Sequence, residues 1–470
     1  MNASTSITVN HMAQHGDHAI VIGGSIAGLL SASVLARHFA RVTIIERDRL
    51  PEEAGPRKGV PQGNHAHQLL TRAAWVLEDL LPGIGQELLA AGAEEIDCFN
   101  QILMFVSDRP LLRMPPGPTT YAGSRALVEW VVRQRVAALP QVQFVEASDV
   151  TGLIHSPAGD RIAGVSLQAR EPGAQPVLLR GDLVVDASGR SSRMSEWLEA
   201  LGYGRPEETV IEPHVAYSSR VYARPTNPLF DQGILLVPER PELRRAGIII
   251  PMEGNRWMVT LIGYGDDAPP HDEEGFLTFA RNLQHQAFYD AIKNATPLSP
   301  VRGYRRMENH QRHYERMERW PEGLVVLGDA AIALNPLYGQ GMAMAALGAQ
   351  ALGKRLAVQR GLRGLGERFQ RDLAGIAKLP WLMATSATPD GGKPADKNLL
   401  VRLLKGYMGV MSEITYVEPE IYDVTMRVSH MIMSPVQLFR PSIVARVLRY
   451  WLSGKTSAKR QVPELRPVER

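Results

Sequence analysis

Three short stretches of this chain carry residue types whose spacing suits a dinucleotide. The first is Ile22-Gly23-Gly24-Ser25-Ile26-Ala27-Gly28. In a G-x-G-x-x-G turn the first glycine bends the chain out of a strand. The second lets the backbone approach a pyrophosphate, and the third lets the next helix pack on the sheet. Gly23 and Gly28 hold the outer positions and Ser25 stands at the middle one. Serine is small, and its hydroxyl can itself donate to a phosphate, so the departure weakens the pattern without breaking it. The helix start carrying Ile26 and Ala27 offers free N–H groups and a positive dipole end to the phosphates. Glu46 follows 18 residues after Gly28, with Arg47 beside it. An acid about 20 residues on is placed to bond a ribose diol. An acid there favours an unphosphorylated ribose, and so NAD or FAD over NADP.

The second stretch is Leu327-Gly328-Asp329-Ala330-Ala331, which leaves an apolar run and leads through Asn335-Pro336 to Tyr338-Gly339-Gln340-Gly341-Met342. The third is Asp186-Ala187-Ser188-Gly189-Arg190-Ser191-Ser192-Arg193. Taken alone, the third also reads as a strand-end turn with a helix N-cap at Ser191 or Ser192.

The elements that must position these residues are legible around them. HAIVI (18–22) is a buried strand, LLSASVLARHF has helical spacing, and RVTIIERD is a second buried strand. Together they make a β-α-β unit of about 30 residues. Residues 66–91, 124–138 and 273–295 read as helices, and a long helix runs from about Gly341 to Arg360. QVQFVEA, VTGLIHS, RIAGVSLQA and LVVDAS read as strands. Residues 211–267 read as mainly antiparallel, with a hairpin around Glu253-Gly254-Asn255. The dinucleotide pieces thus recur at the start, middle and late part of the chain around an antiparallel block. The expected division is a disordered leader at 1–16, a dinucleotide domain at 17–97, 121–205 and 300–366, and a sheet domain at 98–120 and 206–299. A helical C-terminal region at 367–454 and a flexible tail at 455–470 complete it. PDGGKP (389–394) reads as a loop. The helical region is rich in methionine, with Met383, Met408, Met411, Met426, Met431 and Met433.

Other constellations point elsewhere only weakly. His65 and His67 alternate as two ligands on one strand face would, but no Cys or carboxylate cluster stands near them, and no metal is expected. His310 and His313 lie in a charged stretch and read as surface residues. No G-x-S-x-G elbow marks a serine hydrolase. Cys98 is the single cysteine, so no intrachain disulfide forms, which suits a reducing, cytoplasmic setting. A net charge of +3 in 470 residues calls for no nucleic-acid partner. The N-terminus lacks the basic and apolar regions of a signal peptide. Ala19–Ala36 is uncharged, but its glycines break it into strand, turn and helix rather than a membrane span of about 20 residues. VQLFRPSIVARVLRYWLSGKTSAKR is basic and amphipathic. It reads as a helix packed on the protein by its Leu, Val and Trp face, with membrane contact the lesser reading.

With the three motifs in order, the chain resembles the FAD-dependent monooxygenases of the single-component aromatic hydroxylase and epoxidase type, closest in look to bacterial natural-product epoxidases and hydroxylases. The match extends to Arg57-Lys58-Gly59-Val60-Pro61-Gln62 with His65-Ala66-His67, and to Trp320-Pro321-Glu322-Gly323-Leu324. The resemblance implies an α/β fold: a Rossmann-like FAD-binding domain, an inserted mainly antiparallel sheet domain for the substrate, and a helical C-terminal region. It implies that Gly23, Gly24, Ser25, Ile26, Ala27, Gly28, Glu46 and Arg47 bind the adenosine and pyrophosphate. Arg57 would lie near the flavin as the catalytic candidate, Arg125 at the phosphate or ribose, and Val150 beside the adenine. Asp186 would lie near the pyrophosphate and the nicotinamide donor. Asp329 would bond the ribityl or ribose hydroxyls, and Gly339, Gly341 and Met342 would face the flavin edge. The activity it implies consumes NAD(P)H and O2 and passes one oxygen through a flavin C4a-hydroperoxide to an apolar substrate, by hydroxylation or epoxidation. Baeyer–Villiger insertion and alkene reduction of the geranylgeranyl reductase type remain alternatives. The W-x-W-x-I-P signature of flavin halogenases is absent among the seven tryptophans. The sheet would floor a pocket over the flavin, and the methionines would lid it or fill core gaps.

Overall fold

Strands built around near-continuous apolar runs (AIVI, VTII, LVV) are buried on both faces, and parallel pairing under helices is the usual solution. Gly16–Ile22, Phe39–Ile45, Val142–Val145, Leu183–Asp186 and Leu324–Val326 form such a sheet, in the order Leu324–Val326, Leu183–Asp186, Gly16–Ile22, Phe39–Ile45, Val142–Val145. Every pairing in it is parallel. The computed structural model describes residues 15–106, 109–110, 114–212, 214–225, 233–237, 244–304, 308–386, 399–415 and 418–453. Residues 1–14 of the expected 1–16 leader, the 389–394 loop and the 455–470 tail lie outside them. The last two leader residues are instead part of the fold, since Gly16 opens the first strand and His15 Nε2 lies 2.8 Å from the Leu356 carbonyl.

The register sets the strand ends side by side. Ile22 pairs with Asp186 and with Ile45, and Asp186 pairs with Val326. The first strand has one neighbour that is the next strand in sequence and one whose paired residues lie 164 positions later (Ile22 with Asp186), so the chain reverses its direction of travel across the sheet there. Ligands bind at such a switch point, beyond the carboxyl ends of the strands. Helices Ile26–Leu35 and Gln340–Val358 pack together over this sheet, and Leu29, Leu30, Ala343, Ala346 and Leu352 are buried in the same core.

The second sheet has seven strands, in the order Arg302–Tyr304, Val215–Ala223, Arg256–Tyr264, Arg245–Met252, Ile234–Val237, Ile102–Val106, Arg109–Pro110. It is antiparallel except where Ile234–Val237 runs parallel to Ile102–Val106. Period-two alternation sorts its faces. Trp257, Val259 and Leu261 pack under helices Glu273–Arg281 and Gln286–Ile292 through Phe276 and Phe288. On the other face Thr260 accepts a bond from the Ala66 N–H at 3.0 Å. The Glu253-Gly254-Asn255 hairpin lies where its sequence placed it. Glu253 Oε2 accepts from the Ser124 N–H at 2.9 Å, tying the hairpin tip to the first domain.

Some elements are shorter than their periodicity predicts. The 66–91 stretch is two helices, Thr71–Leu80 and Ile84–Ala90, because Pro82 and left-handed Gly83 (φ 89°) cannot continue the first. The 273–295 stretch breaks between Arg281 and Gln286, where His285 caps the second helix by accepting from the Ala287 N–H at 3.1 Å. The histidines expected at the surface are not there. His313 is buried between Thr209 and Glu315, each at 2.9 Å, and half-buried His310 pairs with Glu208 at 2.8 Å.

Helix Leu365–Ser386 lies against strand Leu324–Val326, with Gln370 Nε2 donating to the Val326 carbonyl at 3.0 Å. Helix Pro419–Ser429 docks its Tyr422 and Met426 among Ile96, Phe99, Ile234 and Ile250. The Tyr422 hydroxyl donates to the Phe99 carbonyl at 3.2 Å. The methionines divide by place. Met411 and Met433 fill the core of the C-terminal helices, Met426 meets the sheet, and Met383 Sδ accepts from Gln340 Nε2 at 3.8 Å. No helix among the described residues is long and apolar enough to cross a membrane.

Candidate active site

The first turn is shaped by two glycines. Gly23 adopts φ 100°, and a Cβ there would lie 2.6 Å from the Ala187 carbonyl oxygen, so the turn abuts the end of the neighbouring strand. A Cβ on Gly28 would stand 1.8 Å from the Gly23 oxygen. Only glycine fits this close approach of helix to strand end. Ile26–Leu35 therefore starts hard against the strand, and its N-cap, Ser25, makes no side-chain cap. The first N–H groups of the helix are left for another acceptor.

One cavity of about 400 Å³ opens at this place. Gly23, Ser25, Ile26 and Ala27 line it from the turn, Glu46, Arg47 and Arg57 from the second strand end, and Arg125 and Val150 from beyond. Asp329, Gly339, Gly341 and Met342 line it from the late motif. Residues spread over more than 300 positions thus meet at one void. Direct packing seats the late motif: a Cβ on Gly328 would lie 2.8 Å from the Ala27 Cβ. Arg190 bridges the middle and late motifs, donating to the Glu308 carbonyl at 2.7 Å and the Leu334 carbonyl at 2.6 Å, with its Nε 3.6 Å from Asp329.

Three of the expected residues do not line the cavity. Gly28 is consumed by the helix–strand approach. Gly24 donates its N–H to Glu46 Oε2 at 2.8 Å. Asp186 is fully buried and spends its carboxylate on its own turn. Its Oδ1 accepts from the Ser188 N–H at 2.9 Å and the Ser188 hydroxyl at 2.6 Å, and its Oδ2 accepts from the Ser192 hydroxyl at 2.5 Å. Burial pushes this carboxyl above the ordinary range against the pull of those serines. It is Ala187, Ser188, Gly189, Arg190 and Ser191 that reach the cavity. The next helix begins at Met194 with Arg193 at its N-cap position, one residue past the expected Ser191 or Ser192, and the Ser192 hydroxyl still accepts from the Met194 N–H at 3.1 Å.

The electrostatics centre on a cluster that sequence reasoning did not name. Glu129 accepts from Arg57 Nε at 2.7 Å and from the Ser25 hydroxyl at 2.7 Å, and lies 3.0 Å from Arg125 Nη2. Arg125 Nη2 also donates to Ser25 Oγ at 2.8 Å. The serine hydroxyl expected to donate to a phosphate is therefore turned to a carboxylate instead. Arg57 reaches Asp48 at 2.9 Å and Glu46 at 3.2 Å as well. Burial works against the Arg57 charge, but Glu129 and then Glu46 outweigh it and raise the pKa, so the guanidinium is a fixed cation. Burial likewise opposes the Glu129 charge, and Arg125 and Arg57 prevail and lower its pKa. Glu129 stands four residues after Arg125 on helix Arg125–Ala137, an i,i+4 pairing that was the one available sequence signal.

Glu46, expected at a ribose, first serves the turn. Its Oε1 accepts from the Asp48 N–H at 2.9 Å and its Oε2 from Gly24. Each carboxylate oxygen keeps a second lone pair. His67 lines the cavity as a neutral ring, held to a pKa of about 4 by burial and then by Arg125, with Nδ1 3.0 Å from the His65 carbonyl. His65 turns its Nδ1 to Ser219 at 2.8 Å. The two histidines thus face different partners.

Arg57 Nη2 and Arg125 Nη1 are buried without any hydrogen-bond partner. Buried donors of this kind call for an acceptor from outside the chain. Two orphaned cationic donors beside an uncapped helix start fit the diphosphate of a dinucleotide. Gly339, left-handed at φ 64°, begins helix Gln340–Val358 with no side-chain cap. Nothing lies within 4 Å of where a Gly341 Cβ would be. A second helix N-terminus therefore faces the same void with room before it. Beside it, Tyr217, Ile262 and Tyr264 of the seven-stranded sheet form an apolar cluster with Tyr304 and Leu337.

The FAD binding domain family matches residues 18–367 of this chain. Among curated proteins, Protein Rv3254 of Mycobacterium tuberculosis is 32% identical over 365 residues, covering 76% of this chain and 75% of its own. The 6-methylpretetramide 4-monooxygenase of Streptomyces rimosus is 26% identical over 364 residues, covering 74% of this chain and 77% of its own. Among solved structures, the flavin-dependent brominase Bmp2 superposes with a TM-score of 0.66 at 14% identity, covering 93% of this chain and all of its own, a likeness of fold alone.

Proposed function

This chain belongs to the FAD binding domain family and is a flavin-dependent enzyme, and from that premise we propose that it is a NAD(P)H-consuming monooxygenase which hydroxylates or epoxidises an apolar small molecule. The observation that carries the proposal is the meeting, in one cavity, of the dinucleotide turn with the open helix start at Gly339 and Gly341. A helix N-terminus at a flavin edge stabilises negative charge there, which a cofactor used only as structure does not need. The Streptomyces rimosus relative, itself named a monooxygenase, supports the same reading.

In this reading the uncapped start at Ser25, Ile26 and Ala27, with Arg57 and Arg125, holds the pyrophosphate. Glu46 and Val150 hold the adenosine, Asp329 the ribityl hydroxyls, and Gly339, Gly341 and Met342 the flavin edge. When bound, the flavin supplies hydride acceptance from NAD(P)H and activation of O2. The chain supplies position, a dry site and fixed charge. Arg57, kept cationic by Glu129, Glu46 and Asp48, is a positioning charge and not a proton donor. The apolar cluster of Tyr217, Ile262, Tyr264 and Tyr304 lies beside the flavin-edge helix start and suits an apolar substrate.

The test is turnover of the FAD-loaded protein with NAD(P)H and apolar candidate substrates under 18-O2. Label in a hydroxylated or epoxidised product is the expected result. Substrate reduced without oxygen uptake, label inserted beside a carbonyl, or halide incorporated in its place would each overturn the proposal.

A further inference from the structure

The last helix, Pro441–Leu452, has two apolar faces. One is buried: Ile443 and Val447 pack with Met411 and Ile414 of helix Leu399–Ile414 and with Leu438. The expectation was that the tryptophan would join this packed face. Instead Trp451 is 66% exposed, with Leu448 at 45% and Leu452 at 78%. With half-buried Val444 these residues sit at i, i+4, i+7 and i+8, a single stripe along the helix, turned to solvent. The helix packed against it, Leu399–Ile414, also carries an exposed leucine, Leu403 at 61%, next to Arg402.

Charge is concentrated at the same end of the chain. Residues 440–470 hold eight Lys and Arg against two Glu, while the whole chain carries only +3. The rest of the protein is therefore net acidic, and the positive balance belongs to residues 440–470, of which Arg440, Arg446 and Arg449 lie in or beside the stripe's helix and the other five basic residues follow it in sequence. Arg440 and Arg446 are paired with Glu420 and Glu418. Arg449, on the stripe's helix, makes no ion pair among the described residues.

We propose that this face is a docking surface for an anionic lipid bilayer, with helix Pro441–Leu452 lying in the plane of the headgroups. An apolar stripe bearing a tryptophan and flanked by basic residues is the pattern of an interfacial helix. A second copy of this chain is the poorer fit. A two-fold contact sets each patch against itself and would bring two basic ends together. The charge of an anionic leaflet complements the segment instead.

The experiment uses the full-length, FAD-loaded protein and sedimentation with large vesicles. One set is pure phosphatidylcholine and the other contains about 30% phosphatidylglycerol, a strongly anionic surface. The proposal expects binding to the anionic vesicles at least about ten times tighter than to the neutral ones, weakening as salt shortens the Debye length. Replacing Leu448, Trp451 and Leu452 together with Ser should lower that binding by about ten-fold or more. Flavin content, circular dichroism and NAD(P)H oxidation in solution should stay at the parent's values, since these side chains face solvent. Failure to sediment with anionic vesicles, equal binding by the triple variant, or a dimer in solution that the triple variant abolishes would each overturn the proposal.

Discussion

Arg57 Nε donates to Glu129 Oε1 across 2.7 Å, and the pair joins the loop after the second strand to helix Arg125–Ala137. Glu129 holds Arg125 by its other oxygen, so one buried carboxylate sets both cations that face the cavity. The two arginines are nevertheless unequal. Arg57 balances Glu46, Asp48 and Glu129, whereas Arg125 balances Glu129 alone. Arg57→Ala should therefore cost about 3 kcal/mol of stability, because it leaves buried carboxylates unpaired. Arg125→Ala should cost less than half as much, since Arg57 still neutralises Glu129. Both should weaken FAD binding by about ten-fold or more, the worth of a charge-assisted bond. Urea denaturation of the apoprotein and FAD titration separate the two effects. Equal stability losses would show that the carboxylates do not depend on Arg57.

Ser25 offers a sharper test of how the turn grips phosphate. Its hydroxyl donates to Glu129 and accepts from Arg125. Ser25→Gly, which restores the glycine pattern, should change FAD affinity by less than about ten-fold, since only bonds among side chains are lost. A fall of a hundred-fold, read by flavin fluorescence quenching, would mean that the hydroxyl turns to the phosphate when FAD is present.

Gly341 separates folding from loading. Its Cβ direction is open, and it lies in the first turn of a helix. Gly341→Leu should leave stability unchanged or raise it by up to about 1 kcal/mol, from helix propensity. It should also abolish flavin uptake, because the new side chain fills the space before the helix start. Calorimetry of the apoprotein and absorbance of the reconstituted protein read the two. A yellow, fully loaded Gly341→Leu protein would remove this helix from the flavin site.

The C-terminal helices are held to the first domain through a buried, uncharged histidine. His430 Nδ1 lies 2.9 Å from Thr71 Oγ1 and 3.5 Å from Cys98 Sγ, and burial lowers its pKa to about 4. The unfolded chain, with an ordinary histidine near 6.5, takes up its proton first as pH falls. This group's contribution to stability is thus complete above about pH 6.5, declines between 6.5 and 4, and changes no further below. The loss amounts to roughly 3 kcal/mol at most. His430→Gln should remove one share of that slope, leaving the shares of His65 and His67, which burial also lowers to about 4, while costing some stability at neutral pH. Hydrogen exchange in helix Pro419–Ser429 should rise in the same window for the parent. An unchanged pH profile in the variant would show that His430 is not among the groups that titrate.

What the amino-acid order alone determined is the chemistry that runs locally. Gly23, Gly28 and Glu46 are legible because a turn, a close approach and a strand end act within a few residues of one another. The hairpin at Glu253–Asn255 is legible for the same reason. The middle and late motifs also announced a shared site, and Ala187–Ser191 and Asp329–Met342 do meet there. What only the tertiary structure decided is how side chains with several possible partners are spent. Asp186 turns to the serines of its own loop, and the Ser25 hydroxyl, though at the cavity wall, turns to Glu129 and Arg125, which folding brings beside it. Glu129 gains its weight from Arg57, brought to it from 72 positions away. His313 is buried despite its charged surroundings, and Trp451 is exposed despite its apolar stripe. Periodicity states which faces of a helix are apolar. Which of them finds a partner depends on the surface the rest of the chain presents, and that surface exists only once the chain has folded.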